Sequence, residues 1–199
     1  MNRSRGRRHF FIVVFLWISC VCLFYGFSEK EVTVFTDSKW GVEIMYPKAW
    51  FSKTTTRGDT YQLFLTKEEL KGSDSAFQTG VGLLVLSNAK KAFAAVATTD
   101  KEIAETWVSA YESGLGASQA KVSWDRKNEL EEINGVTFYR TELRVDYPEE
   151  ASGKHDVGMI LIFAIHKDRV YNFTFESPLA QYESGKSEFN KMIASLKLF

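Results

Sequence analysis

The sequence predicts an α+β domain organised on an antiparallel sheet, and three observations carry that prediction. The first is Val136–Tyr147, where Tyr139, Leu143, Val145 and Tyr147 alternate with Arg140, Glu142, Arg144 and Asp146. Such a period of two places one face on a core and the other in water. The second is Val157–Lys167, whose Val-Gly-Met-Ile-Leu-Ile-Phe-Ala-Ile run does not alternate, as suits a central strand covered on both faces. Lys167-Asp168-Arg169 then turns the chain into Arg169–Glu176, with Tyr171, Phe173 and Phe175 pointing one way. The third is a pair of amphipathic helical patterns, one on each side of this meander in the sequence.

The remaining elements follow in chain order. Val32–Phe35 reads as a first strand, Asp37-Ser38-Lys39 as a turn, and Val42, Ile44 and Tyr46 as the buried positions of a second strand ended by Pro47, which cannot donate to a ladder. Trp40 and Trp50 flank that strand. Large aromatics are mostly buried, so core packing is favoured over stacking on a ligand. Tyr61–Leu65 and Gly80–Ser87 are two further strands separated by an exposed loop at Lys71–Ser75. Gly80-Val81-Gly82 opens no helix and is a strand entry rather than a phosphate loop. Thr99-Asp100-Lys101-Glu102 is a capping box, after which Ile103, Trp107, Ala110, Tyr111 and Leu115 share one helical face and Gly114 and Gly116 offer a stop. Lys121–Trp124 and Asn128–Ile133 approach the Asn134-Gly135 turn as two short strands. Ser177-Pro178 is expected to open the last helix, with Tyr182, Phe189, Met192, Ile193 and Leu196 on its buried face and a break at Gly185.

Charge and cysteine usage narrow the function classes. The 25 basic and 25 acidic residues cancel, but Arg3, Arg5, Arg7 and Arg8 precede every other charge. Subtracting these four from 25 leaves 21 basic against 25 acidic residues, a net of −4. Nucleic-acid binding needs clustered cations and is set aside. Cys20 and Cys22 are the two cysteines, both in the leader, so the domain offers no thiol for a disulfide, a metal or a nucleophile.

Residues 1–9 form a basic arm, and Phe10–Phe27 is an 18-residue apolar run. As a helix it spans about 27 Å, against roughly 30 Å of bilayer hydrocarbon. It is longer than a usual secretory core, and the arginines hold its N-terminal side in the cytoplasm, so the preferred reading is a transmembrane signal anchor with residues 28–199 outside. Cleavage after Ser28 and lipidation at Cys20, where Ile18-Ser19-Cys20 partly matches a lipobox, are the alternatives. Arg7-Arg8 is read as positive-inside charge rather than as a twin-arginine signal.

Reactive constellations are sparse. His155 and His166 lack partners at metal-ligand spacing and are read as surface histidines. Glu129, Glu131 and Glu132, and Asp146, Glu149 and Glu150, are read as solvated carboxylates rather than an acid–base pair. A calcium loop at Asp146–Asp156 lacks the required spacing. No Gly-x-Ser-x-Gly elbow is present, and the Asn172-Phe173-Thr174 sequon falls inside a strand. No catalytic, metal or cofactor residue is assigned.

Two segments resemble a known family. Trp40-Gly41-Val42-Glu43-Ile44-Met45-Tyr46-Pro47-Lys48-Ala49-Trp50 is similar to the opening of the PsbP-like family. Val170-Tyr171-Asn172-Phe173-Thr174-Phe175, with the later Phe189–Leu196 helix, resembles its close. The family includes a subunit of the photosynthetic oxygen-evolving complex and many bacterial relatives. The resemblance spans about Val32 to Leu198 and implies an α/β/α sandwich, a central mostly antiparallel sheet flanked by helices. It implies no catalytic residues and a role in binding other proteins or supporting assembly. The short apolar leader does not fit a plastid transit peptide, so a bacterial envelope protein is expected. The expected function is a membrane-tethered, extracytoplasmic binding or assembly module with a protein partner. The alternatives are a carrier of a small apolar ligand and an envelope hydrolase, since a fold alone never fixes function.

Overall fold

The computed structural model describes residues 31–72, 76–95, 97, 99–117, 119–148 and 156–199. The chain runs β1 (Val32–Asp37), β2 (Val42–Pro47), β3 (Phe51–Arg57), β4 (Thr60–Thr66), β5 (Gly80–Ser87), α1 (Ala89–Phe93), α2 (Asp100–Ala117), β6 (Lys121–Ile133), β7 (Val136–Asp146), β8 (Val157–His166), β9 (Arg169–Pro178), α3 (Tyr182–Ala194) and β10 (Lys197–Leu198). The leader Phe10–Phe27, Cys20 and Cys22 lie outside the described residues. Among the described residues no helix is long and apolar enough to cross a membrane.

Seven strands form one sheet in the order β3-β4-β5-β9-β8-β7-β6, with all neighbours antiparallel. The expected meander supplies its centre. β8 is buried along its first eight residues because both of its faces are covered. Ile160, Ile162 and Ala164 join one core with Phe173, Phe175 and the α3 residues Phe189, Met192 and Ile193. Met159, Leu161 and Phe163 face the other side, towards Leu115 and Ile103 of α2. A three-stranded sheet, β1-β2-β10, lies beside α3, and Trp40, Val42, Ile44 and Tyr46 join the same core. The molecule is therefore an α+β sandwich, with α1 and α2 on one face of the large sheet and α3 with the small sheet on the other.

Local chemistry explains several boundaries. The capping box forms reciprocally: Glu102 N–H donates to Thr99 Oγ1 at 3.2 Å, and Thr99 N–H to Glu102 Oε2 at 3.0 Å. Asn134 and Gly135 both have positive φ, 49° and 79°, as a two-residue hairpin turn requires. Trp40 stacks on Tyr61 with centroids 5.2 Å apart, so both Trp40 and Trp50 are core residues.

Several expectations are corrected. β3 is a full strand that sequence patterning misses, because Ser52 to Thr56 carries no apolar alternation. β6 is one strand of 13 residues rather than two, with register shifts on either side of Arg126, which pairs with Glu142, that absorb Asp125 and Lys127-Asn128 as irregularities. α2 continues through Gly114 and Gly116 to Ala117, and it buries Ala104 and Val108 while Ala110 is exposed. Ser177 opens no helix. β9 extends to Pro178, a single 3-10 turn follows at Leu179–Gln181, and α3 begins at Tyr182. Gly185 lies within α3, where an added Cβ would stand 2.6 Å from Phe175 Cζ; it is there for close packing.

Candidate functional site

β7 places Phe138, Arg140 and Glu142 on the face that α3 covers. The expected solvent face is thus buried at its middle: Arg140 is 3% and Glu142 2% exposed. Charges survive there only when paired and hydrogen-bonded. Arg140 Nε donates to Glu142 Oε1 at 2.8 Å, its Nη1 to Glu131 Oε2 at 3.1 Å and its Nη2 to Asn190 Oδ1 at 2.8 Å. Lys186 Nζ donates to Glu142 Oε2, and Arg126 Nη1 to Glu142 Oε1 at 3.4 Å. Arg126 also pairs with Glu129 at 2.8 Å. Each residue is supplied by a different constraint. Arg140 and Glu142 are i and i+2 on one strand, Glu129 and Arg126 oppose them on β6 with Glu131 one pair further along opposite Phe138, and Lys186 and Asn190 are i and i+4 on α3.

Above this network opens a cleft of about 560 Å³, lined chiefly by Arg126, Glu131, Glu132, Arg140, Lys186 and Asn190. Asn134, at the neighbouring turn, closes one end by donating from Nδ2 to the carbonyls of Ala194 (3.1 Å) and Leu196 (2.7 Å), which caps α3. Burial alone would raise the Glu142 pKa. The hydrogen bond from Lys186 and the charge and hydrogen bond of Arg140 outweigh burial and hold it below its ordinary value. A carboxylate locked in the ionised form cannot serve as a general acid near neutral pH. The cleft instead presents charges of both signs held in place by hydrogen bonds.

Comparison with known proteins gives the lineage. The PsbP family model matches residues 30–198. The chain belongs to the PsbP family. The solution structure of cyanobacterial PsbP (CyanoP) from Synechocystis sp. PCC 6803 superposes with a TM-score of 0.60 at 14% identity, covering 87% of this chain and 96% of that one. The Ran-binding protein Mog1p of Saccharomyces cerevisiae is similar with a TM-score of 0.51 at 9% identity, covering 84% and 95%. At these identities the likeness shows the fold. A search of curated protein sequences returns no match.

Within this PsbP-family chain the residues singled out from sequence are dispersed. His166 ends β8, part-buried. Burial and the charge of Lys167 lower its pKa, which favours the neutral ring. His155, Glu149 and Glu150 lie outside the described residues. Asp156 Oδ1 accepts from the Tyr147 N–H at 3.3 Å, which makes it a local loop bond. Among the described residues no group of three His, Cys, Asp or Glu side chains is placed to hold a metal ion. Asn172 is 7% exposed within β9, so its sequon is inaccessible in the folded chain. Glu129, Glu131 and Glu132 lie along β6, and Glu129 and Glu131 are tied into the ion-pair network. The sequence shows the residue types of the cleft, Arg140 and Glu142 at i and i+2 on a strand and Lys186 and Asn190 one turn apart on a helix, but not that they converge. Glu129 and Arg126 come opposite Arg140 and Glu142 only through the shifted register of β6.

Proposed function

We propose that this chain is a non-catalytic binding or assembly module that takes a protein partner on the polar cleft between β6–β7 and α3. The observation that carries the reading is the network itself. Buried Arg140 and Glu142 fix Arg126, Glu131 and Lys186 in place, so the cleft wall is pre-organised for charged groups of a partner. Membership of the PsbP family supports it, because that family generally acts without catalysis. The yeast neighbour, a Ran-binding protein, shows this fold serving protein recognition. In this reading Phe10–Phe27 tethers the domain as a single-pass segment, with Arg3, Arg5, Arg7 and Arg8 retained in the cytoplasm and the domain in a bacterial envelope.

The ligand-carrier reading has less to stand on. On the α2 side of the sheet a cavity lined by Gln62, Phe64, Phe77, Leu84, Asn172 and Thr174 encloses about 210 Å³, below the roughly 300 Å³ at which small-molecule sites begin.

The test is co-purification of tagged full-length protein from its own membranes in mild detergent, beside a Glu132→Arg variant. Glu132 is exposed at the cleft rim, so its reversal leaves the fold intact. The reading expects a stoichiometric protein partner with the wild type and its loss with the variant. A bound small molecule with no protein would overturn it.

A further inference from the structure

The two edges of the large sheet are built differently. β6 is blunted. Its register shifts twice near Arg126, Asn128 has a φ of +52°, and Asp125, Arg126, Lys127, Glu129 and Glu132 crowd it with charge. These are the devices that keep an edge from recruiting another strand. β3 carries neither a bulge nor a proline. All seven residues pair with β4 in unbroken register, from Phe51 opposite Thr66 to Arg57 opposite Thr60. All but Lys53, which is half-buried, are exposed, and no described strand pairs with the outer edge. Three consecutive threonines, Thr54 to Thr56, give it high strand propensity. A regular, unbulged edge leaves a row of backbone donors and acceptors for an added strand.

Charge says what kind of strand fits. Lys53 and Arg57 are the charged residues of β3, both basic, and they share one face with Phe51 and Thr55. A second copy of this chain is a poor match. Antiparallel pairing centred on Thr54 sets Lys53 diagonal to the copy's Lys53 and Arg57, and centring on Lys53 or Thr55 sets basic residues directly opposite each other. An acidic segment has no such conflict.

We propose that β3 is a second docking surface, which adds an extended segment of a partner protein as an eighth, antiparallel strand. The segment carries acidic residues at positions i and i+4, opposite Arg57 and Lys53, and an apolar residue at i+6, opposite Phe51. The surface is independent of the cleft. β3 and β6 are the opposite edges of the sheet, some 25 to 30 Å apart at ordinary strand spacing. Failure here leaves the cleft reading standing, and the reverse.

The probe is a fluorescein-labelled Glu-Thr-Thr-Val-Glu-Thr-Val peptide, read by anisotropy on full-length protein in nanodiscs. Binding is expected, and the Lys53→Glu/Arg57→Glu double variant should weaken it on the order of tenfold. A peptide with lysine at both acidic positions should recover binding to that variant. Circular dichroism of the variant confirms that the fold is retained. Backbone N-methylation at alternate residues should abolish binding, because strand addition rests on main-chain hydrogen bonds. Absence of binding to the wild type would overturn the proposal. So would equal binding of the N-methylated peptide, or of a peptide whose two acids stand three residues apart.

Discussion

Glu142 lies beneath α3 with Arg140, Lys186 and Arg126 around it, and Lys186 and Arg140 hold it ionised against burial. Removing one partner of a buried pair leaves the other uncompensated, a loss of about 3 kcal/mol or more. Glu142→Gln is therefore expected to lower stability by that order at pH 7, measured by urea unfolding of the full chain with tryptophan fluorescence. The pH dependence has a definite sign. The folded pKa of Glu142 is held below its ordinary value of 4.5, so its contribution is present above that value and lost as pH falls through the folded pKa. The wild-type and Glu142→Gln curves should converge on acidification; curves that stay parallel would show that Glu142 is not held by its neighbours. Trp40, Trp50 and the buried alternation of β2 were legible in the sequence, because apolar side chains have one stable destination. Arg140 and Glu142 were not. Alternation says only that a face is polar, and the helix that buries this one lies about 50 residues further along the chain.

At the scale of elements, legibility followed the strength of local signals. The α2 capping box and the Asn134-Gly135 turn are complete in a few residues, so sequence reading places both. β3 escaped because its partner β4, rather than its own pattern, makes it a strand, and β6 was divided because bulges interrupt its period. The start of α3 was misplaced because Pro178 suits the end of a strand as well as the start of a helix. The β8–β9 turn carries a local misfit. Lys167 and Asp168 occupy φ of +49° and +59°, where Asn or Gly is favoured. Lys167→Asn is expected to stabilise the full chain by up to about 1 kcal/mol, because Asn tolerates the left-handed region that costs other L-residues roughly 1–2 kcal/mol. It also removes one of the two influences that depress the His166 pKa, which should rise towards its ordinary value of 6.5. Histidine resonances followed through a pH titration check this, and an unmoved His166 pKa would leave burial as the whole cause.

For the whole molecule, the decisive arrangement is one sheet carrying two unlike surfaces. α2 and α3 cover its two faces, and no described helix covers the outer edge of β3 or the mouth of the polar cleft beside β6 and β7. The layered α+β architecture was legible because the meander, the two amphipathic helices and the family-like opening and close all agree. The positions of the cleft and the open edge depend on strand order, which no local signal encodes. The central claim is that the chain works by binding a protein at the cleft. It is tested most directly by photo-crosslinking in native membranes, with a benzophenone side chain replacing Glu132 at the cleft rim or Glu105 on the exposed face of α2. A discrete protein adduct is expected from position 132 and none from position 105. Adducts from position 105 alone, or from neither position, would contradict it.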